Sequence, residues 1–329
     1  MTEKGMVSME NNTNVQKKKG LDILRGIGIT GIVLFHLFPS VFRGGFLGVP
    51  LFFVLSGYLM FVSSNTCYEK GNFSVLNYYK KRVIKILPPL FAMVMIVCCY
   101  LTLFHSSQMI GIRREICSIF LGYDNWWQIQ QNTSYFSAFA NNSPFRHLWF
   151  LAIEIQFYII WPFLFLLYKK GCKVFGGRIL CFSFLLLALV SAGRMLFLYV
   201  PGADPSRVYY GTDTMSFPLF IGMFLGAVRQ EYKGLSFAIK KKWADILFLL
   251  FVGILGVLFM TVDGQYDFVY QGGMFAISLF FATIIHLLEN QEKEAETEKM
   301  PEISLMSLLG KESYWIYLWH YPIIMLALL

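Results

Sequence analysis

Long apolar runs, separated by short polar segments, constrain the fold of this chain more than any other feature of its sequence. A helix needs about 20 mostly apolar residues to cross the hydrocarbon layer of a membrane. With 56% of its residues hydrophobic and 15% charged, the chain is too apolar for an ordinary soluble domain. The sequence therefore predicts an all-α fold, a polytopic membrane helical bundle of about nine to ten transmembrane helices. The apolar runs cover roughly residues 21–41, 46–64, 83–105, 147–168, 178–200, 213–229, 244–262, 268–288 and 303–329.

Lysine and arginine fall in short blocks between the apolar runs, and this pattern sets the expected orientation. The net charge of +8 is therefore a topology signal and does not indicate nucleic acid as a partner. Because cytoplasmic loops carry the excess of basic residues, we expect a multi-pass protein of the cell membrane with a cytoplasmic N-terminus and an extracytoplasmic C-terminus. Residues 1–20 form a polar cytoplasmic tail, and residues 21–329 form one membrane domain. The basic residues left on the outer side are Arg43, Arg113, Arg114, Arg146 and Arg207.

Residues 112–130 differ from the other runs because their apolar part is short and their end is rich in tryptophan and amides. A crossing here would turn the later basic blocks outward, against the charge rule. We therefore expect one short interfacial or re-entrant helix on the outer side. The acidic loop over residues 289–302 is expected to be solvated, and the six cysteines show no spacing typical of a metal site or a disulfide framework.

Arg25 and His36 in the first run are the strongest candidates for a functional site. They are separated by about three helical turns, so they share a face and lie roughly 16 Å apart. Ionisable residues inside a membrane span are costly and usually mark function. His36 is either a general base for a hydroxyl or a histidine that links helices by hydrogen bonds. Asp22, at i,i+3, is able to pair with Arg25. Arg25 is either half of a structural ion pair or part of a positive pocket, and the two roles are compatible.

Arg82 and Lys85 form a second basic element just ahead of Pro88 and Pro89. On a helix they lie at i,i+3 on one face, at the cytoplasmic mouth of the bundle, where they are placed to hold phosphate groups. The simpler interpretation is a positive anchor at the membrane surface. Both interpretations stay open for this pair.

A third element is a helical stripe with a carboxylate inside an apolar run. A buried carboxylate is costly unless it has a partner or a proton. Glu154 is placed to orient His36, to position an acceptor hydroxyl, or to brace a neighbouring helix. The stripe consists of His147, Leu151, Glu154, Tyr158 and Trp161.

Two further groups combine hydroxyls with a charge or an imidazole. Tyr209, Tyr210 and Asp213 open the sixth run on the outer side, where they suit hydrogen bonds to a sugar, although a turn with a helix cap explains Asp213 almost as well. Tyr317 and His320 in the last run fit helix packing and an interfacial position better than catalysis.

Taken together, these elements resemble the family-3 membrane acyltransferases, which O-acylate cell-surface glycans. The resemblance covers nearly the whole chain. It departs from the family pattern at Lys85, Ile155 and Met215, where the family often has Arg, Glu and Arg. The stretches NWWQIQQNTSYF and SPFRHLW are similar to the branch that acetylates peptidoglycan. The motifs that carry the resemblance are Arg25 and His36 followed by GGFLGVPLFFVLSGY, KRVIKILPP, HLWFLAIEIQFY, YYGTDT and GKESYWIYLWHYP.

The resemblance implies that residues 21–329 are a membrane acyltransferase domain with acetyl-CoA as acyl donor and no metal. It implies His36 and Glu154 as catalytic residues, and Arg25, Arg82 and Lys85 as residues that bind acetyl-CoA. For the acceptor it implies Tyr209, Tyr210, Asp213, His147, Trp149 and Tyr158.

The implied partners are membrane lipid, a cell-wall glycan acceptor, most of all peptidoglycan muramic acid, and a separate or fused extracytoplasmic Ser-hydrolase-like transferase domain. Nucleic acid is not an expected partner. O-acetylation of an exported polysaccharide is the alternative acceptor. A transporter or flippase for a small acidic solute or lipid-linked sugar is the alternative function, because charges at the midplane suit it too, and a catalytically silent scaffold is the third.

Overall fold

The computed structural model describes residues 3–136, 143–232, 240–289 and 305–328, and for residues 3–19 and Lys241 it describes the backbone. All regular structure in these ranges is helical, which confirms the all-α class. The predicted loop over 289–302 lies outside the described residues except for Glu289. The helices are α1 Glu3–Leu37, α2 Gly48–Glu69, α3 Val75–Phe104, α4 Ile112–Phe120, α5 Asp124–Gln130, α6 Trp149–Phe175, α7 Gly177–Leu180, α8 Phe182–Leu198, α9 Ser206–Tyr210, α10 Thr212–Met215, α11 Phe217–Glu231, α12 Lys241–Thr261, α13 Met274–Glu289, α14 Leu305–Lys311 and α15 Ser313–Ala327.

Seven helical segments in the described part of the chain are long and apolar enough to cross a membrane. The predicted runs 213–229 and 303–329 are each divided into a short helix and a helix of 15 residues, α11 and α15. Fifteen residues rise about 22 Å, less than the roughly 30 Å of a hydrocarbon layer. The count of nine to ten crossings therefore stays a prediction. The seven segments are Gly20–Leu37, Gly45–Glu69, Val75–Phe104, Arg146–Phe175, Gly177–Leu198, Lys242–Thr261 and Val269–Glu289.

Residues 112–130 form two short helices instead of the one that the sequence predicted. Helix α4 has 9 residues and α5 has 7, far fewer than the about 20 that a crossing needs. The chain turns between them at Gly122, whose φ is +73°, a conformation that favours glycine. A side chain at this position would also meet Ile155, because its Cβ would lie 2.7 Å from the Ile155 Cγ2 atom.

Helices α2 and α11 pack closely through two glycines. Gly57 of α2 lies against the backbone of Leu219, and Gly222 of α11 lies against the carbonyl group of Val54. A Cβ added at Gly222 would lie 2.7 Å from the backbone nitrogen of Tyr58. Small residues at such crossings let two backbones approach each other, as is common where helices associate in membranes.

Helix α1 packs along α14 in the same way. Gly26 lies against the carbonyl group of Met306, and Gly310 lies against the carbonyl group of Asp22. This contact places the end of α14 and the start of α15 beside the first turns of the α1 span. The C-terminal part of the chain thereby forms a wall next to Arg25.

Helix α1 ends at Leu37, before Pro39 and Ser40, so the first span is shorter than the predicted 21–41. His36 consequently lies in the last turn of α1 and is half-buried. After a turn, the backbone nitrogen of Gly44 donates to the carbonyl oxygen of Phe259 over 2.8 Å. Arg25 and His36 therefore lie near opposite ends of one span, which we call the Arg25 end and the His36 end.

Candidate active site

A cavity of about 170 Å³ lies between α1, α2, α3, α6, α14 and α15 near the Arg25 end. We call it the basic cavity. Its mouth is marked by Lys85 and Lys311, which are both exposed, and its apolar wall includes Ile32, Phe150 and Leu151. The polar side chains that line it carry more positive than negative charge. They are Arg25, Ser56, Arg82, Lys85, Glu154, Tyr158, Lys311, Ser313, Tyr314 and Tyr317.

Arg25 enters this cavity from α1 with its charge partly balanced. Its Nη1 atom donates to Oδ1 of Asp22 over 2.8 Å, which confirms the predicted i,i+3 pair. The Arg25 side chain is 29% exposed and that of Asp22 is 13% exposed, so the guanidinium keeps part of its surface open. The pair is thus structural, and its arginine still faces the cavity.

Arg82 is held between two tyrosine rings on the opposite side of the cavity. Its guanidinium carbon lies 4.4 Å from the ring centre of Tyr158 and 5.4 Å from that of Tyr78, which are cation–π distances. Lys85 follows one turn later on α3, whereas Lys80 and Lys81 are exposed and do not line the cavity. The two basic residues that the sequence singled out are therefore the two that reach the cavity from this helix.

Glu154 provides the negative charge of the basic cavity. Its Oε1 atom accepts a hydrogen bond from the hydroxyl of Ser56 on α2. Leu151, Glu154 and Tyr158 all line the cavity, as expected for one helical stripe. The structure does not bring Glu154 into a hydrogen bond with His36. Of the roles considered for this carboxylate, it shows the bracing of α6 against α2, next to the charge of Arg82.

Three histidines meet at the His36 end, in a group that we call the histidine cluster: His36, His147 and His320. The ring centre of His320 lies 5.4 Å from that of His36 and 5.4 Å from that of His147. The ring of Tyr321 lies 4.9 Å from His36 and 5.3 Å from His147. Within the described residues no group of histidine, cysteine or carboxylate side chains is placed to hold a metal ion. The cluster contains three imidazoles, and the phenol ring of Tyr321 packs against two of them.

An aromatic partition of Phe150 and Tyr317 lies between the basic cavity and the histidine cluster. Both residues line the cavity, and their ring centres are 5.4 Å apart. The ring of Tyr317 also lies 5.2 Å from that of His147, and its hydroxyl donates to the backbone carbonyl of His147 over 2.6 Å. The two halves of the predicted site are thus adjacent but separated by this partition.

His320 is a residue of the site that the sequence assigned to packing. Its Nδ1 atom lies 2.8 Å from the carbonyl oxygen of Tyr317 and 3.2 Å from that of Ile316. A carbonyl oxygen only accepts, so Nδ1 carries the proton and Nε2 keeps a lone pair. The Nε2 atom is buried and has no hydrogen-bond partner in the part of the chain that the structure describes. The sequence feature that could have indicated a site role for His320 is its position between two aromatic residues in the last motif.

The residues proposed for the acceptor are distributed over four places. Tyr158 lines the basic cavity and His147 belongs to the histidine cluster. Trp149, Tyr209 and Tyr210 are almost fully buried. The Tyr209 ring centre lies 4.9 Å from Trp149, and its hydroxyl donates to the carbonyl of Phe46 over 3.1 Å. Burial raises the pKa of both tyrosines well above its usual value, so their hydroxyls stay protonated.

Asp213 lies apart from these residues, in an ion pair. Arg207 donates two hydrogen bonds to its carboxylate, each of 3.1 Å, and Arg194 donates a third of 3.3 Å. The Arg207 guanidinium also lies 5.3 Å from the ring centre of Trp126. The structure thus shows Asp213 linking α8, α9 and α10, with its oxygens directed at arginines.

A buried pair of carboxylic acids on the two short helices is a feature that the sequence did not indicate. Asp124 is fully buried and Glu115 is 6% exposed. Ser118 donates to Asp124 over 2.9 Å, and Gln128 donates to Glu115 over 3.1 Å. Burial raises the pKa of both carboxyls, and the Glu115 charge raises that of Asp124 further. At least one of the two therefore holds its proton to higher pH than a free carboxyl.

Comparison with known proteins places this arrangement in a family. Residues 18–327 match the family profile of an acyltransferase domain. The chain belongs to the family-3 acyltransferases. In this acyltransferase the matched region contains both the basic cavity and the histidine cluster.

Several curated relatives are similar to the acyltransferase over nearly its whole length. The peptidoglycan O-acetyltransferase OatA of Listeria monocytogenes is 36% identical over 325 residues, covering 97% of this chain and 51% of the relative. The O-acetyltransferase OatA of Staphylococcus aureus is 33% identical over 330 residues, covering 98% and 53%. The putative peptidoglycan O-acetyltransferase YrhL of Bacillus subtilis is 36% identical over 314 residues, covering 94% and 49%. The chain thus spans about half the length of these relatives. No solved structure matches it.

Proposed function

We propose that this acyltransferase is the membrane part of a peptidoglycan O-acetyltransferase that takes acetyl groups from cytoplasmic acetyl-CoA. The observation that carries the proposal is the arrangement of α1, which has an arginine in a basic cavity at one end and a half-buried histidine at the other. The chain's similarity to proteins named as peptidoglycan O-acetyltransferases supports the acceptor.

The basic cavity suits one end of acetyl-CoA. Its volume of about 170 Å³ is smaller than the roughly 300–1,000 Å³ of sites that enclose a whole ligand. The thioester end would therefore enter the cavity, and the phosphates would stay at its mouth, near Lys85 and Lys311. Arg82 offers planar guanidinium donors for a phosphate, whereas Lys85 offers a point charge.

His36 is the residue that we assign to the chemical step. A neutral imidazole takes the proton of an acceptor hydroxyl as the new C–O bond forms and the C–S bond of the thioester breaks. The same imidazole then gives that proton to the sulfur of the departing thiolate. Glu154 balances the positive charge of the cavity and positions α6, and it acts on the donor side of the site.

The orientation follows from the charge pattern. The basic blocks place the Arg25 end towards the cytoplasm, where acetyl-CoA is made, and the His36 end towards the outer face, where peptidoglycan lies. Because the relatives are about twice as long, we propose that a further transferase domain, separate or fused, completes the transfer to muramic acid.

The test is mass analysis of wall sugars from cells with the wild-type protein, without it, and with His36→Ala. We expect the base-labile acetyl group of muramic acid to be lost without the protein and with His36→Ala. His105→Ala is the matched control, because His105 lies at the end of α3 and stacks on Tyr100. Unchanged muramic acid acetylation would refute the acceptor. Solute or lipid-linked sugar transport that needs no acetyl-CoA would favour a carrier instead.

A further inference from the structure

The buried Nε2 atom of His320 is the starting point for a second inference about the site. His320 is 7% exposed, and its Nδ1 proton is used by the carbonyl oxygen of Tyr317. The lone pair of Nε2 is left without a hydrogen-bond partner among the described residues. Buried acceptors are nearly always satisfied in folded proteins, so an unsatisfied one points to a partner that arrives when the site is in use.

His36 is placed to be that partner. Two imidazoles joined by an N–H···N hydrogen bond of about 3 Å have ring centres about 5 Å apart. The observed separation of 5.4 Å, with the ring planes tilted by 38°, is only slightly longer. A small rotation of the His36 side chain would close the remaining distance.

His147 lies at the same distance from His320 but is a poorer candidate. It is 4% exposed and packs against Tyr317, whereas His36 is half-buried. Glu154, the other group considered for orienting His36, is hydrogen-bonded to Ser56 in the basic cavity. His320 thus lies in ring contact with His36, the one histidine of the cluster that is not fully buried.

We propose that His320 is a positioning residue that accepts a hydrogen bond from a ring N–H of His36 and thereby fixes its tautomer. The inference rests on the proposed function, since it assigns His36 to the acetyl transfer. With one His36 nitrogen holding the proton towards His320, the other keeps its lone pair towards the acceptor hydroxyl. His320 itself gains and loses no proton in the step.

The experiment compares His320→Gln with His320→Phe in the purified full-length protein, by acetyl transfer from acetyl-CoA to a soluble peptidoglycan fragment. Glutamine offers an amide oxygen near the position of Nε2, whereas phenylalanine keeps a ring and offers no acceptor. We expect His320→Phe to lower kcat roughly 10- to 100-fold, the range seen when a group that orients a metal-bound histidine is lost. KM for acetyl-CoA should stay unchanged, and His320→Gln should retain most of kcat. His105→Phe is the matched control.

A second readout follows the tautomer directly. Nitrogen-15 spectra of histidine-labelled protein are practical because the chain has five histidines, and the His36 signals are assigned from His36→Ala. We expect one His36 tautomer in the wild type and in His320→Gln, and a mixture in His320→Phe.

The outcomes separate this inference from the proposed function. A wild type that neither releases the thiol of acetyl-CoA nor transfers an acetyl group overturns the proposed function, and the spectra still report the tautomer. If the wild type is active and needs His36, and His320→Phe retains full kcat, the role of His320 alone is overturned. A single His36 tautomer in His320→Phe, with kcat lost equally in both variants, leaves His320 as a packing residue.

Discussion

Gly222→Ala tests whether the close approach of α2 and α11 holds the bundle together. An alanine Cβ at this position would meet the Val54 carbonyl oxygen most closely, and it would lie 2.7 Å from the Tyr58 nitrogen and 2.9 Å from the Val54 carbonyl carbon. Comfortable contacts between such atoms are about 3.5 Å or longer, so the helices must separate by about 1 Å. A gap of that size forfeits roughly a quarter to a half of the dispersion energy of each contact across the interface.

The expected cost is about 2–3 kcal/mol of unfolding free energy, typical of overpacking. Alanine's better helix propensity offsets about 1 kcal/mol of it. Gly256→Ala in α12 is the matched control, because a Cβ at Gly256 meets no atom within 4 Å, and it should gain that 1 kcal/mol outright. At about 2 °C per kcal/mol for a chain of this size, the two variants should differ by about 4–6 °C in Tm, measured in one detergent at one heating rate. Equal melting temperatures would refute the reasoning.

Two further predictions concern the charged groups. Arg82→Gln and Lys85→Gln should each raise KM for acetyl-CoA roughly tenfold, as expected for one lost charge-assisted hydrogen bond. Lys81→Gln is the control, because Lys81 is exposed and its loss should leave KM unchanged. A rise in KM with Lys81→Gln as well would indicate only a general loss of positive charge. Asp124→Asn tests the buried acid pair. Burial, and then the Glu115 charge, raise the pKa of Asp124, so the folded state keeps a proton that the unfolded chain loses. The stability of the wild type therefore falls as pH rises above about 4. The Tm gain of Asp124→Asn should therefore be larger near pH 8 than near pH 5, and equal gains at both would contradict it.

The parts of the site that depend on local spacing could be predicted from the sequence. The i,i+3 pair of Asp22 and Arg25 is set by helix geometry alone. The stripe that brings Glu154 and Tyr158 to one face of α6 follows from the same period. The fold class followed from the length and polarity of the apolar runs.

The parts that depend on which helices touch could not be predicted in this way. Ser56 is a small hydroxyl in an apolar run, and nothing local says that it meets Glu154 on another helix. His36 and His320 come from opposite ends of the chain, so their contact depends on how α1 and α15 pack. Glycine spacing at Gly26 and Gly310 contributes to that packing, but a single sequence does not tell which glycines face each other.

The breaks just before α11 and α15 show a different limit of sequence-based prediction. Hydropathy averages over a window, so it joined Asp213 to the apolar run that follows and could not mark the break at Ser216, where α10 ends and α11 begins at Phe217. Such breaks are decided by backbone contacts that a window average does not contain. For this reason the sequence predicted the presence of each helix better than its boundaries, on which the number of crossings depends.

The aromatic partition of Phe150 and Tyr317 bears on the electrical tightness of the membrane. A continuous file of water from Lys85 to His36 would let protons leak, and each elementary charge that crosses about 100 mV dissipates about 2.3 kcal/mol of the stored gradient. Two packed rings interrupt such a file, because they offer water few hydrogen bonds. Tyr317 thus closes the path between the basic cavity and the histidine cluster, and the uncharged acetyl end of the thioester has to pass between the two rings to reach His36.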